Sequence, residues 1–166
     1  MVHDYFVTRI PESYKKQVYP QRVYVTRKKA KFRKITNEAE LITLCEKCGF
    51  VVIDFDDMSF CEQISCMCAA KYFISIHGAG YSNILFMERG SHVLEIINEK
   101  YAELEYTFPF WKQAKTRGLI YDSIFAQPER KTTKLLKLNT IDASDALVNQ
   151  NLLVNLQEFN NKLRLM

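Results

Sequence analysis

Glycine and proline are scarce, five and four among 166 residues, which excludes collagen-like, Gly/Pro-rich and other low-complexity classes. No apolar run approaches the ~20 residues that a membrane span requires. The opening Met-Val-His-Asp-Tyr has neither the basic start nor the apolar stretch of a secretory signal, so the chain reads as cytoplasmic. No sign of charge dominates either: 23 Lys and Arg against 19 Asp and Glu leave a net +4. What is present, 48% hydrophobic and 25% charged residues, is the composition of a folded domain. A chain of this length buries roughly two thirds of its unfolded surface, enough for a core without metal or disulfide staples.

The cysteines number five, an odd count. Cys45, Cys48, Cys61, Cys66 and Cys68 fall in stretches that read as helical or core-facing, so reduced thiols are the simpler account. Cys45-Glu-Lys-Cys48 has the spacing of two zinc thiolates. No second, equally spaced pair completes the set, and two cysteines one turn apart before Gly49 suit small buried hydrophobes.

Residues 1–20, punctuated by Pro11 and Pro20, show no clear period and read as a leader or linker. Residues 21–166 read as one Rossmann-like domain. Arg22–Thr26 alternates as a strand does, and Asn37–Cys48 carries apolar residues at helical spacing, with Thr36/Asn37 as start and Gly49 as stop. Phe50–Ile53 is a short apolar run, Ser59–Ala70 a helix candidate, and Tyr72–Ile76 another strand. A glycine-bearing turn at His77-Gly-Ala-Gly80 leads to a short helix ending near Phe86, then to the strand His92–Ile97. Farther on, Phe110–Gly118 predicts a helix, Leu135–Leu138 a late strand, and Asp145–Leu165 a long amphipathic helix. Successive β-α units predict an α/β fold: a doubly wound, mostly parallel sheet with helices on both faces and right-handed crossovers. Ligands of such sheets collect beyond the carboxyl ends of the strands.

Charge is unevenly placed along this plan. Arg22, Arg27, Lys28, Lys29, Lys31, Arg33 and Lys34 are seven cations with no acid among them, whereas residues 38–62 hold seven acids against Lys47 alone. The basic run passes the carboxyl end of the first strand and so points at the ligand side, with a phosphate as the expected guest. The lysines fit a solvated loop. The planar forks of Arg27 and Arg33 fit a diphosphate. Nucleic acid is disfavoured, because the patch is short and is not interleaved with stackable aromatics.

Ser75-Ile-His-Gly-Ala-Gly-Tyr-Ser-Asn83 stands where a buried strand ends and a helix starts, a place where glycines admit close backbone approach and free N–H groups attract an anion. It is not the dinucleotide fingerprint, which would need glycine at Asn83. No G-x-S-x-G nucleophile elbow occurs in the chain, which disfavours a hydrolase. Asp54-Phe-Asp56-Asp57 has the form of a metal-holding D-x-D, but acids at that point more simply cap the helix that follows. His92 suits a strand boundary, and Trp111 a cover over the core.

Taken in order, Tyr24-Val-Thr-Arg27, Arg33-Lys-Ile-Thr-Asn37-Glu38, Gly49-Phe50, Glu62-Gln63-Ile64, His77-Gly-Ala-Gly80 with Asn83 and Phe86, then Gly90 and Val93-Leu-Glu95 resemble the signature of the family 61 glycosyltransferases. The likeness covers about residues 22–97, with a looser similarity around Ile141-Asp142. It departs from the pattern at Tyr81, where leucine is commoner, and at Glu88-Arg89-Gly90, which replaces a proline-rich approach.

The resemblance implies the donor-binding half of a GT-B enzyme, which transfers a sugar from a nucleotide-sugar, in first expectation UDP-linked, to a glycan acceptor with inversion. An acceptor domain would be N-terminal or separately encoded. By the same resemblance Arg27 and Arg33 neutralise the donor diphosphate, and Gly78, Ala79, Gly80 and Asn83 shape its pocket. Glu95 stands near ribose or base, and Glu62 and Gln63 match without an assigned task. The general base is not named by the resemblance; His77, on the ligand side, is the candidate catalytic residue and equally a structural or pyrophosphate-binding one. No cofactor or metal is expected, the cations and N–H groups replacing a divalent ion at the leaving diphosphate. The alternative is a non-catalytic nucleotide-binding or scaffold domain of the same fold; an NAD-dependent oxidoreductase is a third class.

Overall fold

The computed structural model describes residues 2–104, 109–129 and 149–166. In chain order the elements are α1 (Val2–Val7), α2 (Glu12–Lys15), β1 (Arg22–Val25), α3 (Glu38–Lys47), β2 (Val51–Ile53), α4 (Phe60–Ala69), β3 (Tyr72–Ile76), β4 (His92–Asn98), α5 (Pro109–Arg117), β5 (Ile120–Pro128), β6 (Leu152–Leu153) and α6 (Leu156–Leu163). Short 3₁₀ helices cover Phe55–Asp57, Ala79–Phe86 and Glu99–Leu104. None of the described helices is long and apolar enough to cross a membrane.

The six strands form one sheet in the order β2-β1-β3-β4-β5-β6. The first four pairings are parallel and β5–β6 is antiparallel. After β2 the chain crosses to the other side of β1, so the winding reverses between β1 and β3. That reversal opens a crevice outside the carboxyl ends of those two strands.

Side-chain alternation along the strands divides the core. Val23, Val25, Phe73 and Val93 face the layer containing α4 and α5, together with Ile64, Met67, Tyr81, Phe110 and Ala114. Tyr24, Ile74, Ile76, Leu94 and Ile96 face α3 and α6, with Leu41, Cys45, Phe159 and Leu163. A sheet buried on both sides is why its strands are nearly continuous apolar runs.

Local signals set most boundaries. Ser59 and Glu62 close a reciprocal capping box at the start of α4, the Ser59 N–H donating to Glu62 Oε2 at 2.7 Å. Gly49 and Gly118 follow α3 and α5 with φ of 77° and 70°, a left-handed turn that ends each helix. Asn37 does precede α3, but its side chain makes no cap. It instead bonds Val154 in both directions, donating to the carbonyl at 2.9 Å and accepting from the N–H at 3.1 Å.

That clasp belongs to a departure from the sequence reading. The residues between 149 and 155 are not helical; Leu152 and Leu153 pair with β5, and Leu152 exchanges backbone bonds with Lys34 and Thr36 at 2.8 Å each. The helix begins only at Leu156, where Asn155 accepts from the N–H groups of Gln157 and Glu158. Apolar spacing extended the expected helix backwards through Leu152–Leu153, which the sheet captures, and on to residues 145–148, which fall outside the described residues. Strand β5 was not expected at all, although Gly118 precedes a β-rich run. Residues 2–19 carry α1 and α2, with Ile10 buried and Phe6, Val7, Tyr14 and Tyr19 packed on the core. The expected strand Leu135–Leu138 and the Ile141-Asp142 likeness fall outside the described residues.

Candidate functional site

A crevice of about 180 Å³ occupies the reversal point, lined by the end of β1, the 3₁₀ helix after β2, and the turn after β3. Thr26 and Arg27 form one wall, Asp54–Asp56 a second, and Ser75, Ile76 and Ala79–Tyr81 the floor. Glu38 at the start of α3 fastens the first wall, because its Oε1 accepts from Tyr24 Oη at 2.9 Å and Thr26 Oγ1 at 2.8 Å. Buried Ser75 donates to the Val25 carbonyl at 3.1 Å and ties β3 to β1 below.

The two arginines meet over the glycine turn. A methyl group built on Gly78 would stand 2.9 Å from Arg27 Nη1 and 3.6 Å from Arg33 Nη1. Gly78 has φ 164° and ψ −179°, ordinary extended backbone. Its glycine requirement is therefore space for the guanidinium, not torsion. Arg33 has φ 58°, a left-handed conformation uncommon for a residue with a side chain. There the chain bends: Lys34 onward goes to the C-terminal segment, while Arg33 Nη1 reaches back to the His77 carbonyl at 3.5 Å.

These cations are poorly neutralised. Among the described residues no ion pair includes Arg27 or Arg33, and the Nε of each is buried without a hydrogen-bond partner. Burial, then the Arg33 charge, holds Arg27 below the usual guanidinium range, against the opposing pull of Asp56 and Asp54. Two like charges held together with orphaned donors favour an anion that accepts from both.

Asp54 and Asp56, the residues weighed as a D-x-D against a capping role, line the same space. Asp54 also caps its own 3₁₀ turn, accepting from the Asp56 N–H at 3.0 Å, and Asp57 is paired with Lys29. Among the described residues no group of three or more His, Cys, Asp or Glu side chains gathers as metal ligands would. All five cysteines are free thiols.

A known family matches the part of the chain that carries this crevice. Residues 1–94, more than half of the chain, match the family model described as Glycosyltransferase 61. The chain belongs to the glycosyltransferase 61 family. No curated protein matches it. Arg27, Arg33, Gly78, Ala79, Gly80 and Asn83 all fall inside the part matched to glycosyltransferase 61, whereas Glu95 falls just beyond it.

The remaining expected residues of this glycosyltransferase 61 chain separate into groups. Ala79 and Gly80 line the crevice, and a methyl on Gly80 would meet the Phe55 ring at 3.3 Å. Asn83 donates to Gln63 Oε1 at 2.9 Å, and Gln63 Nε2 donates to the carbonyls of Phe55 at 2.9 Å and Met58 at 3.2 Å. This pair braces the 3₁₀ wall from behind. Glu62 is occupied in the capping box, whose Ser59 partner holds its carboxyl below the usual carboxylate range.

Glu95 is 2% exposed and lies beneath the turn, accepting from Tyr121 Oη at 2.5 Å and bonded to His77 Nδ1 at 2.5 Å. His77 is 7% exposed, and its ring packs against Tyr101 and Phe110, with centroids at 4.9 and 5.1 Å. Tyr81 fills the core between Phe73 and Phe110. Tyr121 had no place among the expected site residues, because the strand that carries it was missed.

Proposed function

We propose that the crevice binds the diphosphate of a nucleotide-sugar, in first instance UDP-linked, and that the domain serves glycosyl transfer to a glycan acceptor with inversion. The observation that carries this reading is the convergence of the Arg27 and Arg33 guanidinium groups on Gly78 at the reversal point of the sheet. Departure of the sugar builds negative charge on the nucleoside diphosphate. Cations already held in place stabilise that charge without reorganising. The first turn of the 3₁₀ helix beginning at Ala79 adds N–H groups outside the helical ladder, aimed at the same end of the sheet.

Inversion also requires a base for the acceptor hydroxyl. In a GT-B arrangement this domain is the donor half, and the base belongs to the acceptor side. Calorimetric titration with UDP, GDP and a UDP-sugar tests the reading, with UDP and the UDP-sugar expected to bind. Absence of binding by every nucleotide overturns it. Binding without transfer, once an acceptor domain is supplied, marks the non-catalytic donor-binding reading instead. Enhancement of NADH fluorescence would mark a dehydrogenase.

A further inference from the structure

We propose that Tyr121 is a positioning residue for the crevice: its phenol holds Glu95, Glu95 holds His77, and His77 sets the glycine turn against which Arg27 and Arg33 rest. This builds on the diphosphate reading above.

The chain of contacts starts in β5, one strand beyond the site. Val93 is the register partner of Tyr121, and Glu95 that of Ser123, so Glu95 and Tyr121 stand on the same face of neighbouring strands. Tyr121 Oη donates to Glu95 Oε2 at 2.5 Å, while Oε1 is bonded to His77 Nδ1 at 2.5 Å. A carboxylate only accepts, so both partners must donate and His77 carries its proton on Nδ1. Burial, and then the Glu95 charge, pushes the Tyr121 phenol up, which keeps it a donor. Tyr81 is buried beside the same pair with its hydroxyl unpartnered. The bond to Glu95 is made by Tyr121.

The His77 ring is held by the bond at Nδ1 and by packing against Tyr101 and Phe110. The His77 main chain is held as well, its N–H donating to the Ile96 carbonyl at 2.8 Å. Its carbonyl accepts from Arg33, and the next residue is the glycine over which Arg27 lies. A small rotation of His77 therefore moves the support of both guanidinium groups. With Nδ1 turned inward to a buried carboxylate, His77 acts on the ligand through the turn.

The test uses the whole chain and UDP. Wild type is compared with Tyr121→Phe by calorimetry, by thermal melting, and by the ¹⁵N-resolved arginine Nε–H resonances in ligand-free protein. We expect Tyr121→Phe to bind UDP about tenfold more weakly, the scale set by loss of one hydrogen bond to a charged group. The Arg27 and Arg33 Nε–H signals should shift, and that of Arg9, in the turn after α1 and outside the crevice lining, should not. A purely structural role would lower the melting temperature without moving those two signals selectively.

A second pair of variants covers the case in which Tyr121→Phe folds poorly. His77→Asn places an amide N–H near the position of Nδ1–H and should recover most of the affinity lost in His77→Ala. Equal affinity in His77→Ala and His77→Asn, or unshifted arginine signals with wild-type affinity in Tyr121→Phe, overturns the positioning role while leaving the diphosphate reading intact. No UDP binding by wild type overturns both.

Discussion

Arg22 and Arg27 stand at opposite ends of one four-residue strand and belong to the same basic run, yet the fold treats them differently. Arg22, at the amino end, is covered by two rings, its guanidinium carbon 4.9 Å from the Phe50 centroid and 4.2 Å from that of Tyr72. Tyr72 in turn packs on His92 at 5.2 Å. Aromatic faces satisfy that cation within the protein. Arg27, past the carboxyl end, meets a second arginine and the bare backbone of Gly78. Both have a buried, unpartnered Nε, so an orphaned donor alone does not mark a site. The environment of the whole guanidinium does.

The largest expected effect tests this contrast directly. Arg27→Ala or Arg33→Ala should each weaken UDP binding by about 1.5–3 kcal/mol, the range for hydrogen bonds to charged groups. Arg22→Ala should leave UDP affinity unchanged in the same calorimetric titration. Equal losses at all three positions would mean that the basic run acts as a diffuse field rather than as a built crevice.

Gly78→Ala comes next. Its extended backbone accepts alanine, but the added methyl displaces the Arg27 guanidinium. UDP affinity should fall about tenfold, roughly 1.4 kcal/mol, with circular dichroism and melting close to wild type. Wild-type affinity would show that Arg27 reaches the ligand from elsewhere.

At the amino end the expected effect is on stability. Loss of the ring-covered guanidinium in Arg22→Ala should cost about 1 kcal/mol, a fall of roughly 3 °C in melting temperature. A melting curve identical to wild type would remove Arg22 from the account of the fold.

A further effect, confined to the core, is read by pH. Burial pushes the Cys45 thiol up to about 12 and the Cys66 thiol up to about 11. The unfolded chain releases such protons near pH 8.5, so the folded state binds more protons between there and the folded values. Their contribution is complete below pH 8.5 and is lost as pH rises toward 11 or 12. Urea melts at pH 7 and pH 10 should show that decline, and Cys45→Ala with Cys66→Ala should flatten it.

Much of the architecture was legible because it rests on local chemistry. The strand Tyr72–Ile76 and the helix from Ser59 were marked by a continuous apolar run and by a capping serine. Strand β5 and the shortened C-terminal helix were not, since pairing with β4 and with residues 34–36 decides them. The site divides in the same way. Arg27, Arg33 and Gly78 were visible as forks and a glycine on the ligand side of predicted strands. Glu62, Gln63, Asn83 and Glu95 were visible only as residues that match a family, and their bonds assign them to bracing or to the support of the turn.

Residue type and order were enough for the alternation of strands and helices and for the run of cations past the carboxyl end of the first strand. These follow from periodicity, capping and the chemistry of guanidinium groups, which act over a few residues. Which arginine is stacked on rings and which faces the crevice depended on tertiary structure. So did the support of His77 by a phenol from β5. Such partners are brought together by the winding of the sheet across separations of 26 and 44 residues, a distance over which no local pattern carries information.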